Sequence, residues 1–563
     1  MNKKIFLPIL AIAAIFAFSA CSGKLTPLSE QYIKAEPQPL EAVGGKVPVT
    51  ISATFPAKWF NKNAVVTVTP VLRYATGETW GTSYTFQGEK VKDNNTVVSY
   101  AQGGNATLRS TFDYIPAMKK SELFLTFEAK IKKKTIKLPD IKIADGVIAT
   151  SDLADAATAN PAIGADKFQR IIKEAYDANI LFLIQQAELR SKELNKDEVK
   201  EWKNIVENAN QAPNQNVSVE ISAYASPDGG LKLNDALAGR RESTTATYIN
   251  KELKKRKIDV PVDAHYTAQD WEGFQELVSK SSLQDKDLVL RVLSMYKDPA
   301  EREREIKNIS TVFKSLAEDI LPQLRRSRLI ANIEIIGKSD EEITALAKSD
   351  AGSLNVEELL YAATLTENDA AKETIYTKAS KQFPNDYRGW NNIGIQRYIA
   401  GDFDKAAEMF NKANSIKNNS ESNVNLGLLA LLKGDKAKAQ QLLGNASDVP
   451  ELGQALGLLY LTQGEYAKAV SSFGGTKSNN AALAQILTKD YSTAAQTLKG
   501  VKKATAITDY LKAVVAARTN DSNGVVSNLK AAIAKDRSLA KEAALDLEFA
   551  KFLGNSSFTD LLK

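Results

Sequence analysis

The chain has 563 residues, too many for one hydrophobic core, so we expect about three or four domains of roughly 100–200 residues each. Its apolar (44%) and charged (25%) fractions are those of globular proteins, which argues against extensive disorder and against a polytopic membrane protein. The net charge of +6 is small beside 73 basic and 67 acidic side chains, and no basic cluster stands out, so nucleic acid is not an expected partner.

The first twenty residues have the pattern of a secretory signal peptide. Met1–Lys4 contains two lysines, and the apolar run Ile5–Phe18 is too short to span a bilayer comfortably. The tetrapeptide Phe18–Cys21 resembles the lipobox of bacterial lipoproteins, with phenylalanine in place of the commoner leucine. The resemblance implies that residues 1–20 are removed, that the Cys21 thiol is lipidated, and that its acyl chains hold the protein at a lipid bilayer without a transmembrane helix. A plain signal peptide followed by a chance cysteine is the alternative.

The residues after the cysteine bear on the side of the membrane that the protein faces. Ser22, Gly23 and Lys24 include no acidic cluster of the kind that serves as a surface-export signal in lipoproteins of the Bacteroidota. We therefore expect a lipid-anchored protein of the outer membrane that faces the periplasm.

Residues 21–43 contain three prolines and no sustained periodicity, which predicts a tether between the membrane and the folded part. From 44 to 145, apolar residues alternate with polar ones in short runs separated by turn residues, which predicts an antiparallel β-sandwich. The predicted strands include Val47–Phe55, Val65–Leu72, Trp80–Phe86, Thr107–Tyr114 and Leu123–Ile131. The aromatic residues Trp59, Phe60 and Trp80 fit either the core of this sandwich or an exposed ligand face.

Residues 165–338 alternate between strand and helix patterns, which predicts an α+β domain. A helical pattern begins near Phe168. The elements expected after it are strands at Ile180–Ile184, Val217–Ala225, Val262–Thr267 and Leu329–Ile336, helices at Lys196–Ala209 and Leu233–Lys255, and a helical insertion from Trp271 to Asp319. The only histidine, His265, lies within a strand pattern and is given no chemical role.

Three segments of this domain resemble the OmpA-like peptidoglycan-associating domain. They are Val217–Gly230, the helix that carries Leu233, Asn234, Leu237, Arg240 and Arg241, and the arginine-rich segment Leu324–Leu329. The insertion, with Tyr266, Gln269–Gly273 and Lys286-Asp287, is similar to that of the enlarged OmpA-like domains found in Bacteroidota lipoproteins.

The OmpA-like resemblance implies a site for a diaminopimelate stem peptide of peptidoglycan. In that family a loop aspartate binds the ammonium group, and an arginine of the following helix binds the carboxylate. Arg241 matches this arginine and Asn234 precedes it by seven positions, whereas Ser226 occupies the place of the aspartate and Asp228 follows two residues later. Asp228, Asn234 and Arg241 are therefore the candidate peptidoglycan-binding residues. The alternative is that Arg241 pairs with Glu242 or Asp235 on a solvated helix face.

From Ser353 onward the sequence repeats with a period near 34 residues, which predicts an all-α solenoid over 353–563. The clearest unit resembles the tetratricopeptide pattern and consists of Trp390, Ile393, Gly394, Gly401, Phe403, Ala406, Phe410 and Ala413. The resemblance implies a concave surface that receives a protein partner of unknown identity. Two interpretations are open for the polar residues Asn391, Asn392, Arg397, Asn423 and Asn425: they line this surface, or they are only solvated positions.

The combination of segments predicts a non-enzymatic scaffold. It would link the outer membrane to the cell wall, to an envelope protein complex, or to both. With Cys21 as the only cysteine and His265 as the only histidine, an internal disulfide and most zinc sites are excluded, and no metal or cofactor is expected. No phosphate-binding glycine loop or catalytic carboxylate motif is recognisable, so we do not expect an enzyme. A surface-exposed adhesin or glycan-binding lipoprotein that uses the sandwich is the alternative function.

Overall fold

The computed structural model describes residues 25–283, 285–308 and 314–563. The signal peptide 1–20 and the lipidation site Cys21 lie outside the described residues. The chain forms two compact units: one combines the chain up to Ala165 with Asn368–Lys563, and the other is Asp166–Glu367. Within the described residues, no helix has both the length and the apolar character needed to cross a membrane.

The first unit begins with a β-rich region, as predicted. Its strands are β1 (Ile33–Glu36), β2 (Leu40–Glu41), β3 (Lys46–Phe55), β4 (Ala64–Tyr74), β5 (Gly77–Trp80), β6 (Tyr84–Gly88), β7 (Thr96–Val98), β8 (Gly104–Asp113), β9 (Ser121–Ile131), β10 (Lys134–Asp145) and β11 (Val147–Ile148). In the described residues, one sheet has the order β1-β3-β8 and another the order β10-β9-β4-β6-β7, with β5 beside β4. Alternate side chains of β3, β4 and β9 point into one shared core, so the alternation seen in the sequence marks the buried face.

The predicted tether is wrong for residues 25–43. β1 pairs with β3, β2 pairs in parallel with β11, and Leu25, Leu28 and Leu40 are buried in the sandwich core. The prolines interrupt the alternation that marks a strand, but the apolar side chains between them still cover an edge of the sandwich. This segment is therefore part of the folded region.

The structure also revises the predicted strand at Trp80–Phe86 and the aromatic face. The strand is two strands, β5 and β6, separated at residues 81–83. Phe60 is fully buried, Trp59 stacks on Phe55 at a ring-centroid distance of 5.4 Å, and only Trp80 is mainly exposed (54%). The three aromatic residues therefore do not form one exposed ligand face.

The second unit has a four-stranded sheet of order β12-β15-β13-β14, formed by β12 (Ile171–Leu181), β13 (Gln215–Tyr224), β14 (Val262–Thr267) and β15 (Arg326–Ile336). The pair β13–β14 is parallel and the other pairs are antiparallel. Between β12 and β13 lie the helices α1 (Ser191–Leu194) and α2 (Asp197–Gln211), and between β13 and β14 lies α3 (Leu231–Lys255). Trp202 of α2 and Ile249 of α3 share a core with Val219, so α2 and α3 cover one face of the sheet.

The helical pattern predicted from Phe168 is wrong, because residues 171–181 form the edge strand β12. Apolar and polar side chains do not alternate cleanly along this strand, because neither face is buried over residues 171–177. Ile171 and Ile172 are both substantially exposed, and the buried residues appear only from Ala178 onward. A strand without a buried stripe gives no period-two signal in the sequence.

The predicted helical insertion lies between β14 and β15. Its described helices are α4 (Trp271–Lys280), α5 (Lys286–Met295), α6 (Pro299–Asn308) and α7 (Leu321–Leu324), with a π-helical turn at Leu316–Ile320. Phe274, Val289 and Leu316 belong to a separate small core of this insertion. The unit ends with α8 (Asp340–Ser349) and α9 (Val356–Thr364).

The rest of the first unit is a helical array. Its helices are α10 (Asp369–Gln382), α11 (Tyr387–Ile399), α12 (Phe403–Ile416), α13 (Ser420–Leu432), α14 (Lys436–Gly444), α15 (Leu452–Gln463), α16 (Tyr466–Phe473), α17 (Asn479–Leu487), α18 (Tyr491–Lys499), α19 (Ala506–Arg518), α20 (Ser522–Lys535), α21 (Leu539–Leu545) and α22 (Ser556–Thr559). Over the fully described stretch 387–535, consecutive helices pack as five pairs, from α11–α12 to α19–α20. This arrangement is a tetratricopeptide-like solenoid, as predicted.

Glycines of the repeat bring the two helices of a pair together. A Cβ at Gly394 of α11 would lie 2.6 Å from the Phe410 ring of α12, and a Cβ at Gly457 of α15 would lie 2.8 Å from the Phe473 ring of α16. The aromatic side chain therefore occupies the space that the glycine leaves, which gives the 34-residue pattern its physical cause.

Candidate functional site

The segment between the sandwich and the second unit lies along the array. We call residues 149–165 the strap; it follows β11 and includes short 3₁₀ turns at Thr150–Leu153 and Ala156–Thr158. The strap contacts α11, α13 and α17, which are first helices of their pairs and together form the surface that we call the groove. Most of this segment lies between the two domains predicted at 44–145 and 165–338.

The centre of the strap is held by side-chain amides of two consecutive repeats. Asn425 accepts from the Ala162 N–H at 2.6 Å and donates through Nδ2 to the Ala162 carbonyl at 2.8 Å. Asn391, one repeat earlier, donates to the same carbonyl at 3.0 Å and accepts from Asn425 Nδ2 at 3.1 Å. Both the main-chain donor and the main-chain acceptor of Ala162 are thus satisfied inside the protein.

The same paired geometry occurs at two more places along the groove. Asn392 accepts from the Gly164 N–H and donates to the Gly164 carbonyl, both at 2.9 Å. Asn480 accepts from the Asp155 N–H at 3.0 Å and donates to the Asp155 carbonyl at 2.9 Å. The groove therefore binds the strap mainly through its main chain, with one side-chain amide bonded to both the N–H and the carbonyl of a single residue.

Small side chains face the groove. Ala156, Ala159 and Ala162 are buried and belong to the same apolar core as the array. A Cβ at Gly164 would lie 2.9 Å from Cβ of Arg388, so this position has no room for a side chain. Between these residues the strap faces solvent, as the 43% exposure of Ile163 illustrates.

The amino-terminal end of the strap is anchored by a buried ion pair. The Thr150 hydroxyl donates to Glu548, and the Arg518 guanidinium binds the same carboxylate in bidentate fashion, at 2.6–2.9 Å. Hydrogen bonding and the charge of Glu548 raise the pKa of Arg518 despite its burial, so the guanidinium stays charged. Such an anchor holds the start of the strap in one place on the array.

The middle and the carboxyl-terminal end of the strap have further anchors. The buried Tyr398 hydroxyl donates to the Ala156 carbonyl, and burial raises the pKa of this phenol, so it remains a donor at neutral pH. Arg388 donates to the Ala165 carbonyl at 3.1 Å.

The polar positions singled out in the repeats are mostly not solvated. Asn391, Asn392 and Asn425 are buried against the strap, and Asn423 is buried in a network with Asn414. The interpretation as solvated positions is therefore wrong for these four asparagines. Arg397 instead forms an ion pair with Glu373 of α10. Asn480 lies at a different position in its repeat and had no sequence signal of its own.

The three candidate peptidoglycan-binding residues lie around one loop of the second unit. Asn234 Nδ2 donates to the carbonyls of Ser226 (2.9 Å) and Gly229 (2.7 Å), which fixes the loop against the first turn of α3. Ser226 donates to the Asp228 carboxylate, and Arg325 binds that carboxylate at 3.2 Å. Asp228 is therefore already paired with a cation of the same chain.

Arg241 lies beneath this loop and has no exposed surface. Its guanidinium donates to the carbonyls of Tyr224 (2.8 Å), Gln186 (3.0 Å) and Leu183 (3.1 Å). Burial, together with the charge of Arg325, lowers the pKa of Arg241 to about 10, so it remains cationic at neutral pH. The alternative that Arg241 pairs with Glu242 or Asp235 on a solvated face is wrong.

The single histidine lies on β14, where His265 Nε2 is 2.8 Å from the Ser222 hydroxyl and 3.5 Å from Glu220. The Glu220 carboxylate and the Ser222 hydroxyl both approach the same ring nitrogen of His265. A hydrolase relay needs them on opposite ring nitrogens, so these three residues lack that geometry. Within the residues that the structure describes, no group of three or more His, Cys, Asp or Glu side chains could hold a metal ion.

No protein-family model matches the chain. A stretch of 106 residues is 33% identical to BBSome complex member BBS4 of Bos taurus; it covers 18% of this chain and spans only a fifth (20%) of that relative's length. Among solved structures, similar chains include a tetratricopeptide repeat protein from Parabacteroides merdae ATCC 43184 (TM-score 0.27, 15% identity, 40% of this chain and 89% of that chain). Another is Pseudomonas aeruginosa pilF (TM-score 0.27, 17% identity, 39% of this chain and 100% of that chain).

Proposed function

We propose that this protein is a non-enzymatic scaffold of the bacterial cell envelope. In this proposal the acylated Cys21 holds it at the outer membrane, facing the periplasm, and the helical array binds a protein partner. The second unit, through its OmpA-like segments, contacts peptidoglycan. The observation that carries the proposal is the groove. Its side-chain amides bind both the N–H and the carbonyl of Asp155, of Ala162 and of Gly164, which is a geometry suited to protein chains.

Membrane attachment is tested by fractionating cells that express the full chain or its Cys21→Ala variant. We expect wild type in the outer-membrane fraction, labelled by a palmitate analogue, because two or three acyl chains at about 0.8 kcal/mol per buried methylene anchor a protein almost permanently. We expect the variant to be unlabelled and soluble. The control is Ser22→Ala, which leaves the thiol in place. An unlabelled, soluble wild type would contradict the proposal.

Partner binding is tested by crosslinking in the same cells followed by mass spectrometry. We expect crosslinks from lysines of the array to one or a few envelope proteins, and the loss of those crosslinks in the Cys21→Ala cells, where the protein is no longer held at the membrane. A wild-type chain that crosslinks to no other protein would contradict the scaffold function.

Peptidoglycan binding needs a test that leaves Arg241 in place, because its three carbonyl contacts support the loop. Asp228→Asn removes the candidate charge and keeps an acceptor for Ser226. We expect the wild-type chain to be retained on sacculi of the diaminopimelate type and this variant to lose at least tenfold in retention. Asp177→Asn, which removes an exposed carboxylate paired with Arg328 at 3.1 Å, is the matched control. Equal retention of all three proteins would exclude Asp228 from the site.

A further inference from the structure

The strap occupies the groove as a peptide ligand would. We propose that it is an internal substitute for such a ligand, and that the groove binds an extended segment of a partner protein with small side chains (Ala, Gly, Ser or Pro) in place of the strap. This inference rests on the proposed function and identifies the chemistry of the partner.

The chemistry of the partner follows from the groups of the strap that contact the groove. Main-chain groups at Asp155, Ala162 and Gly164 provide the polar contacts, so any extended segment offers the same donors and acceptors. Two hydroxyls also take part, since Thr150 donates to Glu548 and Thr158 accepts from Asn480 at 3.1 Å. The buried apolar side chains that enter the groove are the small ones of Ala156, Ala159 and Ala162. A spacing of three between small residues, followed by glycine two positions later, is the pattern that a replacing segment must match.

The strap is covered on one side only. Ile163, with 43% exposure, and the nearby polar residue Asn160 face solvent. A competing segment can therefore approach from solvent and replace the hydrogen bonds of the strap one after another. A buried element such as β3 offers no such access, because both of its neighbours and the core enclose it.

Because the strap is covalently connected to the array, it sets the affinity for the groove that a competing segment needs. A segment tethered next to its site has an effective concentration on the order of millimolar. An external segment with the same contacts therefore binds the wild-type chain weakly. It binds much more tightly when the contacts of the strap are broken but those of the groove are intact.

The test uses a fluorescent peptide with the sequence of residues 153–166 (LADAATANPAIGAD) and the full-length chain. Ala162→Asp in the protein places a carboxylate at a buried position of the strap and leaves every groove residue unchanged. By fluorescence anisotropy, we expect the peptide to bind this variant at least tenfold more tightly than wild type. Adding Asn425→Ala to the variant should weaken binding at least tenfold, because the peptide then loses both contacts to that asparagine. A peptide that carries Ala162→Asp is the control and should not bind.

Hydrogen exchange on the wild-type chain gives a second measurement that does not depend on the folding of the variant. We expect a saturating concentration of the peptide to increase exchange of the Asp155, Ala162 and Gly164 amides of the strap, while helices α11–α20 remain protected. Unchanged exchange of these amides, with no tighter binding by Ala162→Asp, would overturn the inference and make the strap a permanent part of the fold.

Light scattering separates a partner segment from a second copy of the chain. If the wild-type chain forms dimers as its concentration rises and an excess of the peptide dissociates them, the groove accepts the strap of another copy, and the inference is wrong. None of these measurements depends on membrane attachment or cellular crosslinks. The scaffold function could therefore stand, with partners on another surface, while this inference fails.

Discussion

A carboxamide presents a donor and an acceptor side by side, which matches the N–H and the carbonyl that one extended residue directs to the same side of the chain. Asn392, Asn425 and Asn480 each use this match to bind one residue of the strap. Aspartate or leucine at the same position would leave at least one main-chain group unpaired, at a cost of about 1–3 kcal/mol. This explains why asparagine, a poor helix former, lies in the middle of α13.

Ionisation of Asp546 opposes folding at neutral pH. Burial raises the pKa of Asp546, with the nearby Glu548 charge acting in the same direction, although Tyr510 donates to it at 2.7 Å. The native state therefore binds more protons than the unfolded state between about pH 3.9 and the raised pKa, and stability from this group falls as the pH rises through that window. We expect Asp546→Asn to be more stable than wild type at pH 7 by on the order of 1 kcal/mol, and the difference to shrink as the pH falls toward 4, measured by urea unfolding.

Asp536 provides a control of opposite sign. It is exposed and accepts from the side chain and the N–H of Ser538, which lowers its pKa. Its contribution to stability is present above its unfolded pKa and is lost as the pH falls through the folded one. Asp536→Asn should therefore be less stable than wild type at pH 7, with the difference disappearing in acid. The same pH dependence for both variants would show that local burial does not determine the pKa values of these two carboxyl groups.

At the scale of elements, glycine positions in the array act as contact points between paired helices. Gly457→Ala would place a methyl group 2.8 Å from the Phe473 ring, so we expect a loss of about 1–3 kcal/mol in the free energy of unfolding despite the better helix propensity of alanine. Gly444→Ala, on the helix α14 with open space around it, is the matched control and should be neutral or stabilising by up to about 1 kcal/mol.

Phe473→Leu tests whether the cost of Gly457→Ala comes from this contact. In the double variant the smaller side chain leaves room for the methyl group, so the two effects should be less than additive. Strict additivity in thermal unfolding would mean that the glycine acts through the backbone and not through the ring.

The helix pairs were predictable because a glycine opposite a large apolar side chain recurs with a period near 34 residues, as in Gly394 with Phe410 and Gly427 with Leu443. The strap was not, because its contacts are made by its main chain, and main-chain hydrogen bonding leaves no side-chain pattern. The candidate residues around the loop were identified from the sequence, but not the burial of Arg241. That burial depends on carbonyls at Leu183 and Gln186, more than fifty residues away.

At the scale of the whole molecule, the first unit is discontinuous, since residues 166–367 separate its two parts. The parts are joined by the strap and by contacts such as Lys119–Glu542 (2.9 Å) and Lys436 to the Gly44 carbonyl (3.1 Å). We expect a separately produced fragment 25–165 to bind fragment 368–563 and to raise its melting temperature by at least about 5 °C.

Fragment 25–148, which lacks the strap and keeps only the contacts between the sandwich and the array, is the control for that experiment. It should raise the melting temperature of 368–563 by less than the longer fragment does. If the two fragments have equal effects, the strap adds nothing to the stability of the unit, and its hydrogen bonds only replace those to water.

The sequence distance between the strap and the groove also sets an order of events during biosynthesis. Ala162 and Asn425 are 263 residues apart, and Thr150 and Glu548 are 398 residues apart. Since a chain is made from its amino terminus, the strap exists long before the helices that bind it, and contacts between distant residues form slowly. Each newly made molecule therefore passes through an interval in which its strap is complete and the asparagines that bind it do not yet exist.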